Sequence, residues 1–348
     1  MNNKWIDNEQ DLHLVKQLFN NNDSPRTLQH LKWQYIESYS QKGRLILGGV
    51  DPSLINGLTG IYAVFQNRFM SNGKVVTGSQ SLDTLVAPEG RGKGLFNKLA
   101  SQVYKEAEDR NIAFVYGFPN GNSAHGFFNK LEWINLDPIP FLVLPLRSHY
   151  ILSKLPIINK ISSFLPNITY LKRIKHKDNL NIVKNIDIDS NYDKLWQNFS
   201  KKINIGLVRD AEYINWRLSR PEEDYQNIAI CNSAGEMQAI CIYSLKEKHG
   251  GLIGYIMELI YLEDKLGSIV LNKALQYLKN NNCDAVLAWN FDHSPNHAAY
   301  KANGFLPLPE KVRPIELHFG VRVFNKELKN ILKDRNNWYL SYFDSDTV

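Results

Sequence analysis

The sequence predicts an α/β protein with mixed sheets, built as two copies of one unit, and three observations carry that prediction. Short alternating or apolar runs, separated by Asn, Gly and Ser turns, repeatedly give way to segments with helical periodicity. A strand ending at Val86 hands over to a helix through a basic glycine turn, Glu89-Gly90-Arg91-Gly92-Lys93-Gly94. The third observation is repetition: Leu31-Lys32-Trp33-Gln34-Tyr35 is echoed 183 positions later (216 minus 33) by Ile214-Asn215-Trp216-Arg217-Leu218. A second echo, Ala124 to Trp133 against Asn296 to Phe305, follows in the same order, which argues for tandem copies.

Taken in order, Trp5-Ile6 reads as a short strand, and Leu12, Val15, Leu18 and Phe19 recur at helical spacing. Ser24 is placed to cap a second helix from about Arg26 to Tyr39, with Leu28, Leu31, Trp33 and Tyr35 on its apolar face. Strands are expected at Arg44 to Gly48, Leu58 to Phe65, Lys74 to Thr77 and Ser79 to Val86. The helix after the glycine turn shows its stripe in Leu95, Leu99, Val103 and Ala107 and runs to about Arg110. A buried strand, Ile112 to Phe118, precedes a helix capped by Asn122 or Ser123, and Pro138 to Leu146 is expected to close the first half as its last strand. The expected division is residues 1–147, a linker at 148–178 with apolar patches and a basic end, and residues 179–348, where Asp284 to Trp289 repeats the buried strand.

Composition narrows the function. The 348 residues are 43% apolar, enough for two packed units, and 41 Lys and Arg against 35 Asp and Glu give a net charge of +6. A mild, dispersed excess suits a polyanionic small ligand better than nucleic acid, which favours dense basic runs. Cys231, Cys241 and Cys283 form no CxxC pair, so the sequence offers no metal site and reads as a reduced, cytoplasmic protein. No window approaches the roughly 20 apolar residues of a membrane span, and the first ten residues carry no apolar leader core.

The glycine turn is where chemistry is expected. Gly92 and Gly94 let backbone N–H groups converge, while Arg91 and Lys93 add charge beside the positive end of the new helix, which makes a phosphate cradle. Its spacing fits neither a Walker loop nor a dinucleotide fingerprint. Val86-Ala87-Pro88-Glu89-Gly90-Arg91-Gly92-Lys93-Gly94-Leu95 resembles motif A of the GCN5-related N-acetyltransferase (GNAT) superfamily, with Phe96 standing where that family has a small residue. Asn122-Ser123-Ala124-His125-Gly126-Phe127-Phe128-Asn129-Lys130-Leu131 resembles the family's motif B helix, and Tyr300 in the second copy matches Phe128.

The resemblance implies two tandem GNAT-like units, the second degenerate in its loop, which reads Tyr261-Leu262-Glu263-Asp264-Lys265 with two carboxylates and no arginine. It implies acyl-coenzyme A (acyl-CoA), acetyl or 3-hydroxybutanoyl, as co-substrate, with Leu85, Val86, Arg91, Gly92, Lys93, Gly94, Leu95, Phe96 and Asn122 around it. Asp83, near the motif A strand, and His125, near the start of the motif B helix, are the two candidate bases; each also has a purely structural reading. Tyr300 is either the family's general acid or a core residue. Trp33, Trp216, Trp338 and the aromatic, acidic stretch Trp338 to Asp346 are candidates for an acceptor pocket or for core. Tandem units of this kind resemble enzymes that acylate nucleotide-linked (dTDP) deoxyamino sugars for bacterial surface polysaccharide such as O-antigen. Two other readings stay open: a tandem aminoacyl-tRNA-dependent transferase of peptidoglycan, and a non-catalytic coenzyme-binding module.

Overall fold

The structure is a computed structural model describing residues 2–39, 44–50, 57–153, 168–175, 180–313 and 315–345. The first half runs β1 (Asn2–Trp5), α1 (Leu12–Asn20), α2 (Leu28–Tyr35), β2 (Arg44–Val50), β3 (Leu58–Ser71), β4 (Lys74–Val86), α3 (Leu95–Asp109), β5 (Phe114–Gly117), α4 (Gly121–Lys130), β6 (Ile134–Asn135) and β7 (Phe141–Pro145). The second runs α5 (Ser148–Ser153), β8 (Asn181–Lys184), α6 (Ser190–Phe199), β9 (Ile205–Leu207), α7 (Ala211–Leu218), β10 (Tyr225–Cys231), β11 (Met237–Lys248), β12 (Gly251–Tyr261), α8 (Asp264–Asn280), β13 (Ala285–Trp289), α9 (His297–Ala302), β14 (Leu306–Pro307) and β15 (Gly320–Val323). Much of the linker expected at 148–178, including Ile157 to Leu165, lies outside the described residues.

The helices form where their apolar stripes predict. Leu12, Val15, Leu18 and Phe19 of α1 and Leu95, Leu99, Val103 and Ala107 of α3 are all buried. Two expected caps move. Helix α2 begins at Leu28 with Thr27 as its cap, whose hydroxyl accepts from the His30 N–H at 3.1 Å, in place of Ser24. Helix α4 begins earlier than expected, and Asn120 caps it by accepting from the Ser123 N–H. The strands expected at Lys74 to Thr77 and Ser79 to Val86 are one strand, because Gly78 leaves room for the Phe114 ring; a Cβ there would lie 2.5 Å from it.

Two mixed sheets result. One has the order β1-β2-β3-β4-β5-β15-β6, with β9 also on β3; the other has the order β14-β7-β13-β12-β11-β10-β8. Strand β7 lies where the sequence places a strand, but it pairs with β13 of the second sheet and not with the first. In return β15 enters the first sheet between β5 and β6. Each half thus completes the other's sheet. The halves also meet at equivalent positions: the Trp33 and Trp216 rings stack at 4.7 Å and 9°, and each indole N–H donates to the other's carbonyl, at 2.9 and 3.4 Å. Contact between equivalent residues is the signature of two-fold symmetry.

The tail after β15 is not a frayed end. Trp338, Tyr339, Leu340, Tyr342 and Phe343 are buried in the core the halves share. At its centre is Arg209, fully buried, ion-paired to Glu258 at 2.5 Å and to Asp344. Tyr339 and Ser341 hydroxyls donate to the two Glu258 oxygens at 2.5 and 2.8 Å, and Gln80 of β4 donates to the Asp344 carbonyl at 2.6 Å. Replacing Arg209 by Met leaves two buried carboxylates without their cation, so the unfolding free energy should fall by about 3–5 kcal/mol. Urea titration measures it, and a loss below about 1 kcal/mol would show that the cluster does not hold the tail.

Candidate active site

The first half presents its helix α3 end-on to solvent through the glycine turn. Gly92 (φ 73°) and Gly94 (φ 71°) occupy the left-handed region, where a side chain is strained, although a Cβ at either would meet nothing within 4 Å. It is therefore the backbone path that needs glycine. Among the described residues no side chain caps α3, and its first ladder bond is from Lys98 N–H to Gly94, so the N–H groups of Leu95, Phe96 and Asn97 point out of the helix end. Arg91 is exposed, with its Nε donating to the Val86 carbonyl at 3.1 Å, which ties the loop to the strand end. Leu95 turns its side chain inward, close to Gly49 and Gly60, so only its backbone faces the loop.

Phe96 departs from the small residue of the resembled motif, and the structure shows what accommodates it. Its ring lies across Gly126 of α4, where an added Cβ would come within 2.7 Å, and packs edge-on to Phe127 at 5.2 Å. A large residue on α3 is matched by a missing side chain on α4.

Beside the loop the sheet opens. Strands β4 and β5 pair in parallel only as far as Ser81 and Gly117, yet β4 continues to Val86 while the other chain turns into α4. On its opposite edge β4 carries a bulge, with Leu82 and Asp83 together facing Ala63 of β3. The extra residue bends the strand away from its parallel neighbour. A small cavity of about 90 Å³ fills the fork, lined by Ser81, Thr84, Gly117 and Phe118. It adjoins an open cleft of about 990 Å³, lined among others by Leu82 to Val86, Arg91, Phe96, Asn122 and His125. The far wall comes from the α1–α2 connection, Phe19 to Arg26, and from Ile315 and Leu317 of the second half.

The structure thus brings together Asp83, Leu85, Val86, Arg91, Phe96, Asn122 and His125, with Gly92, Lys93, Gly94 and the Leu95 backbone at the edge. Asp83 is 5% exposed; it accepts from the Tyr35 hydroxyl at 2.7 Å and faces the Arg26 guanidinium at 3.7 Å. His125 is exposed on the cleft side of α4, in its second turn. Tyr300 is not brought there. It lies on α9, 3% exposed, with its ring against Phe305 at 5.0 Å in the core of the second half, and its burial raises its pKa well above the usual tyrosine value. Trp33, Trp216 and Trp338 are likewise packing residues between the halves.

Tyr35 and Arg26 were not singled out as site residues by the sequence reading, which placed Tyr35 on the apolar face of the second helix and Arg26 at its start. For Arg26 a signal was available, because Arg26 and Arg209 stand at the same 183-residue spacing as Trp33 and Trp216 (209 minus 26), and α2 and α7 start and stop at that spacing too; Tyr35 falls against Leu218 and has none.

Residues 7–134 match the model of an acetyltransferase (GNAT) domain. This N-terminal stretch is therefore similar to a GNAT acetyltransferase domain. Its match ends at Ile134 in β6, where the chain leaves the first sheet. Solved structures with the same fold extend over most of the chain. A GCN5-related N-acetyltransferase of Anabaena variabilis superposes with TM-score 0.63 at 13% identity, covering 92% of this chain and 73% of that one. A probable N-acyltransferase of Enterococcus faecalis gives 0.61 at 14%, covering 93% and 73%. N-myristoyltransferase of Saccharomyces cerevisiae with bound myristoyl-CoA gives 0.59 at 14%, covering 93% and 82%. No curated protein matches by sequence. No helix among the described residues is long and apolar enough to cross a membrane.

His30, on helix α2 beside the cleft, carries a pH signature. Burial, then the guanidiniums of Arg220 and Arg26, lower the His30 pKa from 6.5 to about 4. The unfolded chain therefore binds the proton first as pH falls, so the His30 contribution is complete above pH 6.5 and is lost toward pH 4. His30→Gln should flatten the fall in stability across that window in urea melts. An unchanged slope would show that His30 is not kept neutral.

Proposed function

We propose that the chain transfers an acyl group from acyl-CoA to the amine of a nucleotide-linked deoxyamino sugar. The N-acyltransferase class rests on the acetyltransferase (GNAT) domain match over residues 7–134. The observation that supports acyl-CoA as the donor is the junction of three features in one cleft: an uncapped helix end with a basic glycine loop, a fork between parallel strands, and a buried carboxylate; the sugar rests on the resemblance of the tandem units alone. An acyl-CoA presents a pyrophosphate for the first and an extended amide-bearing arm for the second. In this reading residues 1–147 hold the coenzyme, through Arg91 to Phe96, the strand end Leu85-Val86 and Asn122.

Transfer needs the amine neutral and close to the thioester carbonyl, with a donor for the developing oxyanion. The amine nitrogen attacks the carbonyl carbon, the carbon–sulfur bond breaks, and coenzyme A leaves as the thiolate, while the amine proton passes to a base and from there through solvent to the sulfur. Asp83, fixed by the Tyr35 hydroxyl, is the base in this reading, with His125 at the rim as the other candidate. The acyl group is acetyl or 3-hydroxybutanoyl.

Calorimetric titration with acetyl-CoA and 3-hydroxybutanoyl-CoA, with and without a dTDP-amino sugar, tests the reading. Coenzyme binding should weaken about tenfold in Arg91→Ala, and sugar-dependent heat should appear. Failure to bind either coenzyme removes the premise. In turnover assays Asp83→Asn should lose about 10²-fold or more in rate with coenzyme affinity unchanged. Near-normal turnover in that variant would move the base to His125 or to water, and His125→Ala then distinguishes the two.

A further inference from the structure

Next to the cleft, across the α1–α2 connection, lies a second cavity of about 470 Å³. It is lined by Lys16, Arg26, His30, Arg220 and Glu222, and Arg26 lines both spaces. Three cations face one carboxylate there, and His30 is held neutral. The cavity reaches from the first half to the end of α7 in the second.

The repeat shows what such a place receives. Helices α2 and α7 correspond at 183 residues, so Arg26, His30 and Gln34 correspond to Arg209, Tyr213 and Arg217. All three second-half residues hold the C-terminal tail: Arg209 pairs with the Asp344 carboxylate, the Tyr213 hydroxyl donates to the Phe343 carbonyl at 2.7 Å, and Arg217 donates to the Ser345 carbonyl at 2.8 Å. The strands agree. Strand β12 carries a bulge opposite β11 as β4 does opposite β3, with Glu258 beside the one and Asp83 in the other, and Arg209 and Arg26 respectively face them. Each half therefore has an arginine facing a carboxylate at the bulge. In the second half the tail covers that pair, with an anion on the arginine and hydroxyl donors on the carboxylate. In the first half the corresponding space is open.

We infer that this cavity is the anion subsite of the acceptor, taking a phosphate-bearing group on Arg26, Lys16 and Arg220, and that the C-terminal tail fills the equivalent groove of the second half as a built-in occupant. The inference rests on the transferase reading for the identity of the acceptor, with the amine lying at Asp83 and the phosphate on the cations beside it. An arginine donates to phosphate oxygens in the same forked geometry as to a carboxylate, so the Asp344 contact serves as a template. A bare carboxylate would leave most of the cavity and two of the three cations unused.

Titration of dTDP into the wild type, Arg26→Gln and Lys16→Glu, each with and without saturating coenzyme A, reads the subsite directly. The expected result is dTDP binding that coenzyme A does not displace and that each substitution weakens about tenfold or more. Coenzyme A affinity in the same samples, unchanged, shows that the variants fold. Displacement of dTDP by coenzyme A would put the anion on the glycine loop and overturn the inference. So would dTDP affinity indifferent to Arg26→Gln, or no dTDP binding in a protein that binds coenzyme A. Arg26-dependent dTDP binding in a protein that takes no coenzyme A would instead sink the transferase reading and leave the subsite standing.

Discussion

A guanidinium without access to water holds the two halves together. Arg209 enters from the connection between β9 and α7, Glu258 from β12 and Asp344 from the tail, and the Asp344 carbonyl is in turn held by Gln80 of the first half. Burying three charges is expensive unless each is paired and hydrogen-bonded. Tyr339, Ser341 and the Ser341 N–H supply those bonds. The tail is thereby committed to one position, and Trp338 is set between Phe114, Tyr116 and Phe319, where the halves share a core.

That commitment explains why two similar halves present different surfaces. The first keeps positive-φ glycines and an uncapped helix end with two cations. The second starts its corresponding helix with Glu263 and Asp264, charges that repel an anion, and Gly267 of α8 makes room for the Tyr261 ring, which a Cβ would meet at 2.3 Å. Space that a coenzyme would need on one side is packed on the other. The asymmetry is chemical as well as steric, since Asp83 faces a cleft while its counterpart Glu258 is sealed.

Local order was legible in the sequence because it is written at short range. The stripes of α1 and α3, the glycine turn and the Trp33 and Trp216 echo each depend on residues within a few turns or on a fixed spacing, and each appears in the structure. What escaped depends on partners far along the chain. Gly78 looked like a break until the Phe114 ring, 36 residues on, showed why it lies inside a strand. The strand at Phe141–Pro145 was visible, but its apolar pattern says only that it is buried, not in which sheet. Tyr300 matched a motif position by spacing, and only the packing around α9 shows that position to be interior. Arg26 was hidden by its ordinary surroundings; a lone arginine near a helix start carries no signal until its counterpart is set beside it.

The exchange of β7 and β15 has a consequence for the ancestry of the chain. Without β15, β6 would have no neighbour in the first sheet, and without β7, β14 would have none in the second. Neither half is therefore a self-sufficient fragment, and a simple end-to-end joining of two finished units would not create that dependence. A homodimer whose protomers had already traded their last strands would, once its genes were fused.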